Sequence, residues 1–132
     1  MTTYISNAIS LGMLDDVQES GYASLSIKPI TADEVAAKLR SGAWESIVGH
    51  ADTALLFSAM LGIEIPMRRV TTSLRYCDRV LVGQYTGPRL PEGAVSLPEG
   101  ARIRWISVKV CSSRPLEECH RDDRPPSEGA GY

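Results

Sequence analysis

Residues 47–62 read IVGHADTALLFSAMLG, and this stretch predicts a largely buried helix. Its apolar residues are too numerous for a helix that turns one side to solvent: Ala54, Leu55, Phe57, Ala59, Met60 and Leu61. We expect the helix to begin near Gly49 and His50, with Gly62 as its C-cap. A helix of this kind must bury its apolar surface against another layer of secondary structure.

Two strands and a capped helix are predicted before this stretch. Tyr4–Ile9 and Tyr22–Ile27 have the apolar character of strands, the second with rough alternation. Residues 31–34 read TADE, which is a capping box: the Thr31 hydroxyl accepts from a free backbone N–H group while Glu34 reaches back. The helix that this box opens should end at Gly42.

Three more strands are expected after it, at Val70–Leu74, Arg79–Tyr85 and Ile103–Val110. Gly87-Pro88 and residues 91–93 (PEG) place the segment between the last two strands in a loop. The predicted order is β-β-α-α-β-β-β. It indicates a single α/β domain with a mixed central sheet of about five strands, flanked by helices.

Composition limits the class of protein. With 132 residues and 43% hydrophobic content, the chain fits one compact domain, expected over residues 1–110. Residues 111–132 are poor in apolar side chains and are expected to be a disordered tail. No apolar run is long enough to cross a bilayer, and the first residues do not resemble a secretory signal. Three cysteines without a CxxC pair favour a reducing, cytoplasmic location over a disulfide framework.

Charge is unevenly distributed along the chain. Residues 1–67 hold three Lys or Arg against eight Asp or Glu, whereas residues 68–110 hold eight against three. The whole chain has a formal charge of −2, so it lacks the net basic surface that drives binding to long DNA or RNA. Most of the local basic charge is arginine, which binds phosphate through a fork of N–H groups. A small anionic ligand therefore fits better than a polymer, although any one of these arginines, taken alone, is more simply a solvated residue at a strand edge.

The chain has two histidines, and they differ in context. His120 lies in the tail beside Cys119, where an inert side chain is the simpler interpretation. His50 lies where a glycine leads into a helix, so free N–H groups and the positive end of the helix dipole favour an anion beside it. Many histidines at such positions only cap or pack.

The remaining candidates for chemistry are several arginines and the loop carboxylates Glu92 and Glu99. No P-loop, HExxH or GxSxG motif is present, and no carboxylates cluster as metal ligands, so we expect neither metal nor cofactor. One histidine with arginines is enough to cleave RNA, because the ribose 2′-hydroxyl supplies the nucleophile. The set therefore points to a ribonucleotide substrate.

Four blocks in the same order resemble the viral anti-CRISPR ring nucleases, which degrade cyclic tetra-adenylate, the messenger of type III CRISPR defence. They are YISNAISLGML (residues 4–14), IVGHADTALLFSAMLG (47–62), RRV (68–70) and RLPEG (89–93). The similarity covers about residues 3–110.

This resemblance implies roles for particular residues. His50 would be the general acid, Glu92 would position the reacting groups, and Arg69 and Arg89 would hold the scissile phosphate. Arg68 is adjacent, but the spacing before Val70 favours Arg69. The polar residues implied to line the ligand pocket are Asn7, Ser10, Thr53 and Gln84.

The family also implies a homodimer with active sites at the interface, acting in the cytoplasm of the host cell. Each ring would be cut at opposite phosphates into two linear di-adenylates that end in 2′,3′-cyclic phosphates. Long nucleic acid and membranes are not expected as partners.

Two other classes of function remain open. One is a protein of the same fold that binds a cyclic nucleotide without cutting it, which would need the arginines but no proton donor. The other is a structural or protein-binding viral accessory protein, which the clustered arginines and the Gly-His helix start argue against.

Overall fold

The computed structural model describes residues 1–19 and 21–112. These residues form a single α/β domain with five strands in a mixed sheet, three α-helices and a short 3-10 helix. The elements in chain order are β1 (Thr3–Ser6), the 3-10 helix (Leu11–Leu14), α1 (Asp15–Glu19), β2 (Ala23–Pro29), α2 (Ala32–Ser41), β3 (Glu45–Ser46), α3 (Ala51–Leu61), β4 (Arg79–Thr86) and β5 (Arg102–Ser112). The predicted fold class is confirmed.

The sheet has a parallel half and an antiparallel half. The strand order is β2-β5-β4-β1-β3, and β1 pairs in parallel with both β3 and β4. β5 pairs antiparallel with β4 and with β2. The carboxyl ends of β1, β3 and β4 therefore lie at one edge of the sheet, which is called the carboxyl edge below.

Each face of the sheet carries its own apolar core. On one face, α2 and α3 pack against strand residues through side chains that include Val35, Phe57 and Ile5. On the other face, Leu14 of the 3-10 helix and Val17 of α1 pack with residues of β4 and β5. Because the core residues of β4 alternate between the two clusters, each strand side chain is committed to one face.

Both long helices start and end as their sequences predict. The Thr31 hydroxyl accepts from the Glu34 N–H (3.1 Å), and Glu34 Oε1 accepts from the Thr31 N–H (2.9 Å), which completes the capping box. These hydrogen bonds to Thr31 lower the pKa of the Glu34 carboxyl. α3 has His50 as its N-cap and ends at Gly62, whose φ of 70° is the left-handed conformation that favours glycine.

Several predicted elements need correction. Val70–Leu74 is not a strand: the N–H of the buried Leu74 donates to the Met13 carbonyl (2.8 Å), but the segment forms no ladder with a neighbouring strand. The fifth strand is instead β3, whose two residues are too short to produce a pattern of alternation. α1 was also missed. The element order is thus β-α-β-α-β-α-β-β, and not β-β-α-α-β-β-β.

The bounds of other elements also differ from the prediction. β1 ends at Ser6 and not at Ile9, because the chain turns at Asn7 toward the 3-10 helix. α3 buries Phe57 and Leu61 but exposes 43% of Leu55 and 36% of Met60, so it is less enclosed than its sequence suggests. β5 continues through Ser112, two residues past the expected domain limit. The predicted tail otherwise lies outside the described residues.

No helix within the two described ranges is long and apolar enough to cross a membrane.

The close packing of α3 on the sheet requires a glycine in β4. A Cβ atom on Gly83 would lie 2.6 Å from Cζ of Phe57 and 2.7 Å from Cζ3 of Trp105. Those two rings already contact each other, with centroids 4.8 Å apart. Any side chain at Gly83 would therefore push α3 away from β5.

We predict that Gly83→Ala lowers the free energy of unfolding by about 1–3 kcal/mol, the usual cost of overpacking a core. Gly42→Ala is the matched control, because a Cβ atom there meets nothing within 4 Å and its φ of −162° is ordinary extended backbone. Urea unfolding measures both variants. Equal stability of Gly83→Ala and the wild type would contradict the packing described here.

Candidate functional site

The candidate site lies at the carboxyl edge, where the chain leaves β1 and β3 toward opposite faces of the sheet. After β1, residues 7–10 lead to the 3-10 helix on one face, and after β3, residues 47–50 lead to α3 on the other. In sheets with parallel strands, a crevice opens at such a divergence, and ligands commonly bind there. The long loop after β4 reaches the same edge.

Asn7 connects the first of these segments to the second. Its Oδ1 accepts a hydrogen bond from the Gly49 N–H at 3.2 Å. The preceding Ser6 is buried, and its hydroxyl donates to the Ala8 carbonyl (2.7 Å) and accepts from the Ala8 N–H (3.2 Å). This small turn fixes the backbone on both sides of Asn7, so the amide reaches the Gly49 turn from a rigid base.

Arg69 holds the other polar group of Gly49. Its Nε and Nη2 both donate to the Gly49 carbonyl, at 3.1 and 2.9 Å. Arg68 points elsewhere, since its Nη1 donates to Glu45 Oε1 at 3.2 Å in an exposed ion pair. Of the two adjacent arginines, Arg69 is therefore the one beside the Gly-His turn.

His50 projects from this turn as the N-cap of α3. Its backbone is extended (φ −130°, ψ 130°), its side chain is exposed, and its ring makes no capping hydrogen bond. The first bond of the helix runs from the Ala54 N–H to the His50 carbonyl (2.9 Å). The N–H groups of residues 51–53, including that of the half-buried Thr53, precede this bond and point toward the carboxyl edge. This geometry suits an anion beside the imidazole.

The loop from Gly87 to Gly100 reaches the same helix end. At its base, Gly87 has a φ of 147°, and a Cβ atom there would lie 2.7 Å from Ala101 Cα, so glycine allows the two ends of the loop to meet. The Tyr85 hydroxyl donates to the Pro88 carbonyl. Farther along the loop, the Gly93 N–H donates to Asp52 Oδ1 at 3.4 Å. Asp52 lies in the first turn of α3, two residues from His50.

Two predicted site residues, Arg89 and Glu92, lie on this loop with exposed side chains. Glu92 immediately precedes Gly93, so the bond to Asp52 brings its backbone to the start of α3. The role of Asp52 was missed by sequence analysis. An acid in the first turn of a helix is common, because it interacts favourably with the helix dipole. The sequence therefore gives no sign that Asp52 also contacts the loop.

Two other predicted residues lie on the opposite face of the sheet from α3. Gln84 is exposed and follows Val80 and Val82 in the row of β4 that packs against the second core. Ser10 is the N-cap of the 3-10 helix on that face. The structure thus brings Asn7, Arg69 and the β4–β5 loop to His50, and it separates Gln84 and Ser10 from that group by the sheet.

Within residues 1–19 and 21–112, no three His, Cys, Asp or Glu side chains lie close enough together to hold a metal ion. Cys119 and His120 lie outside the described residues.

Comparison with known proteins defines the class of this α/β domain. The STIV B116-like family model matches residues 3–104. The chain belongs to the STIV B116-like family.

Among solved structures, the chain is similar to B116 of Sulfolobus turreted icosahedral virus. The TM-score is 0.66 at 22% sequence identity, and the match covers 83% of this chain and 99% of that one. At this identity, the likeness supports the shared fold. No curated protein matches the chain.

We predict that Asn7→Ala exposes the Gly49 N–H and speeds its hydrogen exchange, because a lost hydrogen bond of this kind costs about 1 kcal/mol. Asn7→Asp is the matched control, since a carboxylate oxygen can still accept from Gly49. Amide exchange followed by NMR distinguishes the two variants. Unchanged protection of Gly49 in Asn7→Ala would show that Asn7 does not hold this turn.

Proposed function

We propose that this protein is a viral anti-CRISPR ring nuclease. It cleaves cyclic tetra-adenylate into two linear di-adenylates with 2′,3′-cyclic phosphate ends, and it thereby switches off type III CRISPR signalling in the host cytoplasm. The proposal rests on the resemblance of the four sequence blocks and on the arrangement of their residues around the start of α3.

The observation that carries the proposal is that both backbone polar groups of Gly49 are hydrogen-bonded to side chains. Its N–H donates to Asn7 and its carbonyl accepts from Arg69, while Asp52 accepts from the loop that carries Glu92. Asn7 and Arg69, from separate blocks of the resemblance, thus hold the turn before one exposed histidine, and the loop that carries Glu92 contacts the same helix start. Shared ancestry of the fold would not by itself require an exposed histidine and an arginine at one helix start.

The reaction needs only groups that this edge of the sheet offers. The ribose 2′-oxygen attacks the adjacent phosphorus, and its proton leaves to water. A 2′-O–P bond forms as the P–O5′ bond breaks, and His50 gives its proton to the departing 5′-oxygen. The free N–H groups of α3 and the guanidinium groups of Arg69 and Arg89 stabilise the charge that builds on the phosphate. Glu92 orients the reacting groups from the loop.

A ring is favoured over a polymer by the charge of the domain. The net charge is −2, and the cations of the site are local, so the surface offers no long basic track for single-stranded RNA. A cyclic tetranucleotide has twofold symmetry, and a twofold dimer would present it with two copies of the same site. The homodimer is part of the proposal for that reason.

A protein that binds the ring without cutting it is the second candidate. It would use the same helix start and the same arginines, and the hold of Arg69 on Gly49 is compatible with it. The exposed imidazole of His50, which makes no capping bond, favours cleavage, because a binding protein has no need of a proton donor there.

We predict that the purified protein cleaves cyclic tetra-adenylate in excess chelator, and that His50→Ala slows cleavage by about 10²–10⁴-fold, the usual contribution of a general acid. Binding of the ring should survive in this variant, because the arginines and the helix start remain. Chromatography of the products resolves cyclic-phosphate ends. Cleavage that stops in chelator and returns with a divalent ion would refute the mechanism, and binding without cleavage by the wild type would favour the second candidate.

The adjacent arginines offer a matched pair of variants. We predict that Arg69→Lys slows cleavage roughly 10–100-fold, because lysine keeps the charge but loses the fork that spans the Gly49 carbonyl and a phosphate. Arg68→Lys makes the same chemical change at a residue that pairs with Glu45, and its rate should stay near that of the wild type. Single-turnover rates decide the question. Equal losses in the two variants would remove Arg69 from the site.

A further inference from the structure

A groove of about 450 Å³ runs along α3, between this helix and residues 62–67, which are called the return segment below. The side chains that line it are mostly apolar, and they include Ala51, Leu55, Ser58, Ile63, Glu64 and Met67. Leu55 and Met67 keep 43% and 49% of their surface exposed. Exposed apolar side chains that line one groove indicate a place for the apolar surface of a ligand.

Both walls of the groove are continuous with the segments that carry the candidate site. Ala51 directly follows His50 at the start of α3, and Met67 lies two residues before Arg69. The parallel bridge between Val48 and Met67 aligns the return segment with the Gly-His turn. A ligand whose phosphate binds at the start of α3 can therefore extend an apolar part into the groove.

Ser58 fixes the two walls of the groove relative to each other. Its hydroxyl donates to the Ala54 carbonyl (2.7 Å) and accepts from the Ile65 N–H (2.8 Å), so it joins α3 to the return segment. The hydroxyl is thus satisfied within the protein. The lining differs at Glu64, whose exposed carboxylate has no hydrogen bond or ion pair with any residue in the described part of the chain.

The position of Glu64 matches the length of one nucleotide. At about 1.5 Å per residue, Ser58 lies roughly 10 Å along α3 from Ala51. Glu64 precedes Ile65, whose N–H donates to Ser58, so Glu64 lies at about this depth. A nucleotide spans a comparable length from its phosphate to the far edge of its base. A carboxylate only accepts hydrogen bonds, so it favours a base edge with an amino group over one with a carbonyl.

We infer that the groove binds a nucleobase of the substrate, and that Glu64 selects adenine by accepting a hydrogen bond from its 6-amino group. The inference rests on the proposed function, which places a phosphate of the substrate beside His50 and Arg69. The adenine ring packs on Leu55 and Met67, and the thioether of a methionine contacts aromatic rings favourably. The volume of the groove is within the range of small-molecule sites, roughly 300–1,000 Å³.

Methionine methyl groups provide a local readout, because Met67 lines the groove whereas Met13 packs against the core on the other face of the sheet. The full chain with ¹³C-methyl methionine is titrated with adenosine 5′-monophosphate and with inosine 5′-monophosphate, which has a carbonyl oxygen in place of the 6-amino group. We expect adenosine monophosphate to shift the Met67 signal and to leave Met13 in place. It should bind about tenfold or more tightly than inosine monophosphate, because only its base can donate to the carboxylate.

Glu64→Gln should remove most of this preference, because a side-chain amide can donate to the carbonyl as well as accept from the amino group. Glu19→Gln makes the same change at an exposed position of α1, on the other face of the sheet, and should keep the preference. Leu55→Ala should weaken binding of adenosine monophosphate. Met60→Ala should not, since Met60 is similarly exposed on α3 but does not line the groove.

Equal affinities of the wild type for the two nucleotides, no Met67 shift at millimolar nucleotide, or an unchanged preference in Glu64→Gln would each overturn the inference. The result is separable from that of the nuclease assay. Selective binding of adenosine monophosphate by a wild type that leaves cyclic tetra-adenylate intact would refute the nuclease activity and support the groove. Ring cleavage without a Met67 response would do the reverse.

Discussion

The rest of the structure depends on the parallel pairing of β1 with a strand on each side. This strand has four residues, yet Tyr4 and Ile5 pair with Glu45 and Ser46 of β3 as well as with β4. Parallel neighbours cannot be joined by a hairpin, so the chain must cross a face of the sheet between them. The 3-10 helix and α1 cover one face after β1, and α3 covers the other after β3. Two cores and a divergence between them follow from this one pairing.

The same register also places the Gly-His turn. The Ile47 N–H donates to the Ile5 carbonyl at 2.9 Å, which continues the alignment of β3 beyond its two strand residues. Val48 then forms a parallel bridge with Met67. Arg69 lies two residues beyond Met67, just as His50 lies two residues beyond Val48. The Arg69 guanidinium is therefore close to the Gly49 carbonyl, to which it donates. Strand pairing thus positions both Arg69 and the Gly-His turn.

The sequence predicted those elements whose signals lie within a few adjacent residues, such as helix caps and strand alternation. The capping box at Thr31, the limits of α3, and strands β4 and β5 were predicted closely, because caps and alternation are properties of a few adjacent residues. Val70–Leu74 was predicted wrongly: Leu74 is buried as a strand residue would be, but a strand also requires a paired neighbour, which this segment lacks. β3 could not be found, since two residues carry no period. Tertiary pairing decides such segments, and a single sequence does not display it.

Some features of the candidate site could likewise be predicted from the sequence, and others could not. The start of a helix at His50 followed from the sequence, and the resemblance supplied Asn7, Arg69, Arg89 and Glu92. The structure distinguishes the two adjacent arginines by their contacts. Arg68 forms an ion pair with Glu45, whereas Arg69 donates to the Gly49 carbonyl. The contact between Asp52 and Gly93 joins residues 41 positions apart, and neither has an unusual local context. Long-range polar contacts of this kind are what sequence patterns omit.

The positive charges of this domain lie at two separate ends of the sheet, which the net charge does not reveal. Residues 1–67 contribute eight of the sixteen acids, and several of them lie on exposed positions of α1 and α2, such as Asp15, Asp16 and Asp33. The cations from residues 68–110 reach both ends of β4: Arg79 at its start and Arg89 in the loop after it. Screening reduces the field of either group beyond about 10 Å in ordinary salt, which is less than the length of this strand. The cations at the two ends of β4 are therefore electrostatically independent of each other in ordinary salt.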